Sequence, residues 1–137
     1  MILVDTGPLA GLFDPRDSAH QDARRRLAKI REPLITTVPV LTEVFHLLDP
    51  GSRGAAAVQE FIEAGGVSVW FLTTATLARA FELMQRYADH PMDLADASLV
   101  VAAEHFKTAR VFTLDRTDFS TYRTTIGRTR RAFTLFD

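Results

Sequence analysis

The sequence predicts an α/β domain whose central sheet is mainly parallel, built of about five short strands and flanked by helices. Three observations point there. Short apolar runs, partly β-branched, recur at 2–4, 34–37, 67–71 and 110–114, with a last one at 131–136. Stretches with helical spacing separate them, the alternation that builds parallel sheets. Two of the runs stop on an acid, Asp5 and Asp115, at the strand ends where open parallel sheets bind their ligands. At 137 residues the chain reads as one domain over 1–137, large enough for a real core.

Taken in order, Ile2-Leu3-Val4 reads as a buried parallel strand ending at Asp5-Thr6-Gly7-Pro8. Pro8 to Phe13 can form one or two helical turns. Asp14-Pro15 is a turn, and Asp17 or Ser18 caps a helix over 18–31 with Arg24, Arg25 and Arg26 toward its carboxyl end. Leu34 to Thr37 is the second strand. The helix after it, Pro39 to Leu48, has Val40, Leu41, Val44, Phe45, Leu47 and Leu48 as its core side. Glu43 lies among them, with apolar Val40 and Leu47 as its helical neighbours. Asp49-Pro50-Gly51-Ser52 breaks the chain, and the next helix runs to Ala64 before Gly65-Gly66. Val67 to Phe71 is the third strand. Thr73 or Thr74 then starts a helix through Tyr87, with Leu77, Phe81 and Met84 as a core stripe. Arg110 to Leu114 is the fourth strand, Arg131 to Phe136 the last, and 120–130 between them an irregular, mobile Arg/Thr-rich loop.

One stretch organises the rest: PMDLADASLVVAAEHF, residues 91–106. Ala97 to Ala103 is apolar nearly all round, as in a helix packed inside a domain. At its mouth stand Asp93 and Asp96, one turn apart on nearly the same face. Asp93 suits the N-cap and Asp96 the third helical position, both favoured by free N–H groups and the positive helix end. Either can also reach into a crevice. Asp5 and Asp115 lie at the crevice edge of the sheet, and Glu43 can lean over the same edge. Four carboxylates there repel and raise one another's pKa unless a cation neutralises them. All-oxygen ligation selects Mg²⁺ or Mn²⁺ over zinc, ions that activate water in phosphodiester attack.

Composition excludes several classes. There are no cysteines, so no disulfide and no thiolate metal site, which fits a cytoplasmic protein. The apolar start meets Asp5 almost at once, and reads neither as a signal peptide nor as a membrane span. Net charge is −1, yet Arg outnumbers Lys 14 to 2, and six Arg fall between 110 and 131. Arg suits bidentate phosphate contacts. A solvated charged surface explains any single one of them equally well. His20, His46, His90 and His105 show no ligand spacing and read as surface or loop.

Four motifs carry a resemblance over the whole chain: Asp5 in ILVDTGPL, Glu43 in VPVLTEVFHLL, Asp96 in PMDLADASLVVAAE and Asp115 in VFTLDRTDF. In order and spacing they resemble the acidic quartet of PIN-domain ribonucleases, in particular the VapC-like toxins of bacterial toxin–antitoxin pairs. The resemblance implies a metal-dependent endoribonuclease. Asp5 and Asp96 would be its principal ligands for Mg²⁺ or Mn²⁺, and Glu43 and Asp115 would complete the site directly or through water. Thr6 and Thr113 would hydrogen-bond substrate, water or carboxylate. Asp118 is a further acid, or else the cap of a short turn at 117–120. A homodimer and a small cognate antitoxin are also implied. Arg116, Arg123, Arg128, Arg130 and Arg131 are the cations available to hold RNA beside an acidic site.

Rival readings fail on named residues. A receiver domain needs an acidic pair near the first strand and a Lys at a late strand end; Asp5 stands alone and Lys107 ends a helix. A haloacid-dehalogenase-like phosphatase needs a second Asp where Gly7 stands. Two alternatives share the fold: a non-catalytic RNA- or protein-binding module, and a housekeeping RNA-processing nuclease. All four acids are present, and burying such a cluster without a use for it destabilises a fold.

Overall fold

Strand β1 (Ile2–Val4) is buried at every residue, as a strand covered on both faces must be. It is the middle of a five-stranded sheet, β3-β2-β1-β4-β7, in a computed structural model that describes residues 1–136. Asp137, the end of the expected domain, lies outside the described residues. The other four strands are β2 (Leu34–Thr37), β3 (Ser68–Trp70), β4 (Arg110–Phe112) and β7 (Thr134–Leu135). Every neighbouring pair is parallel; Leu3 pairs with Ile35 on one side and Val111 on the other. All carboxyl ends therefore share one edge.

The chain leaves that edge through capped helices. Asp5 caps α1 (Thr6–Phe13), Thr37 caps α3 (Val38–Leu47), Thr73 caps α5 (Thr74–Arg86) and Asp115 caps α7 (Arg116–Thr121), each side chain accepting a backbone N–H of the first turn. The remaining helices are α2 (His20–Leu27), α4 (Arg53–Glu63) and α6 (Leu94–Phe106). α6 is the centre of the core. Residues 97–103 are buried without exception, and each Leu or Val among them stabilises by about 1.5–3 kcal/mol at most. Its partner α5 meets it along one face, with Arg79 donating two hydrogen bonds to Glu104.

Several expectations give way. The stretch 120–130 is not an irregular loop: it holds the end of α7 and most of an antiparallel hairpin, β5 (Arg123–Ile126) with β6 (Thr129–Ala132). Gly127 makes the turn at φ +65°, a conformation most side chains avoid. Alternating Thr and Arg hid a strand whose inward residue is Thr124, fully buried and donating to the Val100 carbonyl of α6. The single last strand 131–136 is two short ones. Phe133 is buried between them as the chain leaves the hairpin for the sheet. The helix expected over 18–31 is confined to His20–Leu27, and the first helix starts at Thr6 because Asp5 caps it.

Each of two expected apolar stripes holds one residue that faces out, while Leu41, Phe45 and Met84 pack against the core as expected. α5 buries Ala80 and Leu83, while Phe81 is 48% exposed. Ala80 and Leu83 face inward, and Phe81, about 100° round the helix from Ala80, faces out. In α3, Val40, Val44 and the capping Leu48 are buried, whereas Leu47 is 58% exposed.

Candidate active site

The carboxyl edge of β1 delivers Asp5 into a buried position. Its carboxylate is clamped from two sides: the Thr6 N–H donates to Oδ1 at 2.8 Å and the Thr113 hydroxyl to Oδ2 at 2.7 Å. Thr113 follows β4 directly, so parallel pairing of β1 and β4 brings donor and acceptor together. Burial raises the Asp5 pKa to about 6; the two hydrogen bonds oppose it, and the charges of Glu43 and Asp93 add to it.

Glu43, in the second turn of α3, faces the same place: Thr6 donates its hydroxyl to Oε2 at 3.1 Å. Its pKa is raised, first by partial burial and then by the charge of Asp93 and a carboxyl–carboxyl hydrogen bond to it. Asp93 is the N-cap of α6, accepting the Asp96 N–H at 2.8 Å. Asp96 is thus the third residue of the helix, as its spacing predicts. Burial, then the charges of Asp93, Asp5 and Asp118, push the Asp96 pKa up to about 8. The amino end of α6 therefore opens at the carboxyl edge of the sheet. Asp5, Glu43, Asp93 and Asp96 share one crevice.

Asp115 stands a step outside it. Its side chain caps α7, accepting the Asp118 N–H at 3.0 Å, and its own N–H donates to Thr113 Oγ1 at 2.9 Å. Burial and Asp118 raise its pKa. The cap of this turn is accordingly Asp115 and not Asp118. Asp118 instead pairs with His90 Nε2 and comes near enough to Asp96 to raise its pKa.

The basic residues divide. Arg123 donates to the carbonyls of Ser120, Thr121 and Tyr122 at 2.8–3.1 Å, closing the carboxyl end of α7. Arg128, Arg130 and Arg131 are exposed on the hairpin, and Arg116 is exposed at the start of α7. Arg130 and Arg131 are consecutive in β6 and point to opposite faces of it.

Two features escaped the sequence. Tyr122, fully buried, donates its hydroxyl to Asp96 Oδ2 at 3.0 Å. An aromatic alone in an Arg/Thr stretch, three residues after Phe119, was its one signal. Behind the crevice, the buried hydroxyls of Thr37 and Ser98 meet at 2.6 Å and join α3, which carries Glu43, to α6, which carries Asp96.

Asp5, Glu43, Asp96 and Asp115, whose pKa values are all raised, are short of positive charge, and oxygen donors of this kind suit a hard divalent cation. Among the described residues, no three acidic or His side chains stand as a ready-made ligand cage; Asp5, Glu43 and Asp96 each answer to protein donors. Beside Glu43, a groove of about 300 Å³ runs between the first turns of α3 and α6, lined by Val38, Pro39, Thr42, Leu94 and Ala95.

Comparison with known proteins agrees with this architecture. Ribonuclease VapC26 of Mycobacterium tuberculosis is 26% identical over 124 residues, which cover 89% of this chain and 92% of that protein. The crystal structure of Mycobacterium tuberculosis VapC20, described as a sarcin–ricin-loop-cleaving toxin, superposes with a TM-score of 0.79. That match is 22% identical and covers 96% of this chain and all of the other. The PIN domain profile matches residues 2–123, the span from β1 through the first residue of β5 that holds every side chain of the crevice. The chain belongs to the PIN-domain family.

Proposed function

We propose that the chain is a metal-dependent endoribonuclease, the toxin of a toxin–antitoxin pair. The observation that carries this reading is the crevice of Asp5, Glu43, Asp93 and Asp96, where burial and mutual repulsion raise the pKa values of Asp5, Glu43 and Asp96. The likeness to Ribonuclease VapC26 supports it.

In this reading Asp5 and Asp96 hold Mg²⁺ or Mn²⁺, with Glu43 and Asp115 completing the site directly or through water, Asp93 capping the helix that presents Asp96, and Asp118 at the rim. Bound there, a divalent ion would supply Lewis acidity to a water and to the phosphodiester. The protein's part is to hold the donors. Thr113 and the Thr6 N–H fix both oxygens of Asp5, so its carboxylate does not have to reorganise when charge arrives. The Thr6 hydroxyl holds Glu43 in the same way. Arg116, Arg128, Arg130 and Arg131 are proposed to engage the RNA backbone; Arg123 is left out, because α7 occupies it. The chain is proposed to act in the cytoplasm as a homodimer held in check by a small antitoxin. No helix among the described residues is long and apolar enough to cross a membrane.

The test is cleavage of end-labelled RNA by the purified chain in Mg²⁺, Mn²⁺ or EDTA, beside Asp5→Asn and Asp96→Asn. Cuts that need metal and vanish in both variants are expected. A demonstrably antitoxin-free protein that cuts no RNA in a broad pool and binds no metal refutes the enzyme. Growth arrest on induction, relieved by co-expressing the product of an adjacent small gene, separates a toxin from a housekeeping nuclease.

A further inference from the structure

Tyr122 is an expensive residue to place where it is. It belongs to the turn between α7 and β5, in a segment otherwise rich in Arg and Thr, yet it is wholly buried. A buried phenol must donate its proton or pay for leaving it unpaired. Two acceptors are near: Asp96 Oδ2 at 3.0 Å and the Pro91 carbonyl at 3.4 Å. There is one proton, and the nearer acceptor is also the one that carries charge.

The ring cannot easily turn away. Tyr87, His90 and Phe119 each meet it edge-on, with centroids 5.2, 5.8 and 5.4 Å away. The backbone is tied as well, because the next N–H, that of Arg123, donates to Tyr87 Oη at 2.9 Å. A fixed donor thus meets one oxygen of Asp96, while the Asp96 N–H is taken by Asp93.

We propose that Tyr122 is a positioning residue: its hydroxyl holds Asp96 Oδ2 and so sets the direction in which the other carboxylate oxygen faces the crevice for a divalent cation. This rests on the reading of Asp96 as a metal ligand. Partners that orient a ligating carboxylate commonly matter ten- to a hundredfold in metal affinity or activity.

The experiment compares Tyr122→Phe with Thr124→Val in the full chain. Both keep the side chain's bulk and lose one hydroxyl of a fully buried residue, but only Tyr122 touches Asp96; Thr124 donates to the Val100 carbonyl of α6. Mn²⁺ affinity is measured by calorimetry, kcat and KM with RNA by cleavage, and folding by thermal melting. For Tyr122→Phe we expect Mn²⁺ affinity to fall about tenfold or more, kcat to fall with KM for RNA unchanged, and added Mn²⁺ to restore part of kcat. For Thr124→Val, melting temperature falls while Mn²⁺ affinity stays within about twofold of the parent. If Tyr122→Phe binds Mn²⁺ like a parent that itself binds well, or if both variants lose affinity equally, the positioning role is wrong and the nuclease reading stands. If the parent binds no Mn²⁺, the metal reading fails and the inference falls with it.

Discussion

Thr113 donates its hydroxyl to Asp5 across 108 residues of sequence, at 2.7 Å, inside the protein. The same oxygen accepts the Asp115 N–H at 2.9 Å, so one hydroxyl links the end of β1 to the loop that opens α7. Thr113→Val keeps the shape and removes both bonds. Leaving these groups unpaired should cost about 1–3 kcal/mol, a fall in melting temperature of roughly 3–10 °C. An unchanged melt would show that the link contributes nothing.

The pH dependence of the metal-free protein follows from Asp5 and Asp96. Their folded pKa values, about 6 and about 8, lie above the ordinary 3.8, so the folded state binds more protons than the unfolded one in between. Stability from these groups is full below pH 4 and falls as pH rises, through about 6 for Asp5 and about 8 for Asp96. Asp96→Asn removes the upper part of that fall. Melting temperatures from pH 6 to 9 should drop in the parent and stay flatter in the variant, which becomes the more stable of the two above pH 8. Parallel curves would contradict the burial of Asp96.

Saturating Mn²⁺ should reverse this trend. An ion that binds only the folded protein stabilises it by about 2.7 kcal/mol at a hundred times its dissociation constant, and it competes with protons for the same oxygens. The upward shift in melting temperature should therefore grow from pH 6 to 8. A shift equally large in Asp5→Asn would place the ion elsewhere.

Arg123 and the hairpin arginines should separate cleanly. Arg123→Ala loses three carbonyl contacts at the end of α7 and should lower stability by about 1 kcal/mol without changing the salt dependence of RNA binding. Arg130→Ala with Arg131→Ala should leave the melt within about 0.5 kcal/mol and flatten that salt dependence. Titrations at several salt concentrations distinguish the two.

The Thr37–Ser98 pair predicts a coupling. Ser98→Ala strands the Thr37 hydroxyl proton, and Thr37→Val removes the α3 cap while leaving Ser98 bonded to the Ala95 carbonyl; each should cost about 1–2 kcal/mol, and the double variant should cost less than the sum. Strict additivity in urea unfolding would mean that the hydroxyls act separately.

Much of this crevice is legible in the sequence, because strand ends and helix caps are local events. Asp5 after Ile2-Leu3-Val4, and Asp93 three residues before Asp96, announce their positions by spacing alone. Thr124 and Tyr122 do not. Their burial depends on a hairpin folding back over α6, and nothing in TYRTTIGRTRRA alternates strongly enough to show which face turns inward. Phe81 misleads for the opposite reason: periodicity marks an apolar residue, but only the packing of α5, which turns Ala80 and Leu83 inward, decides which side of the helix is covered.

The hairpin's late place in the chain governs when the crevice can exist at all. During synthesis Asp5 emerges first and α6 much later, but Thr113 follows only after β4, and Tyr122 and Thr124, which cover the upper face of α6, are later still. A nascent chain that stops short of them has Asp5 without its Thr113 bond, Asp96 without its Tyr122 bond, and α6 uncovered on that side. Its crevice assembles only after the hairpin has been made.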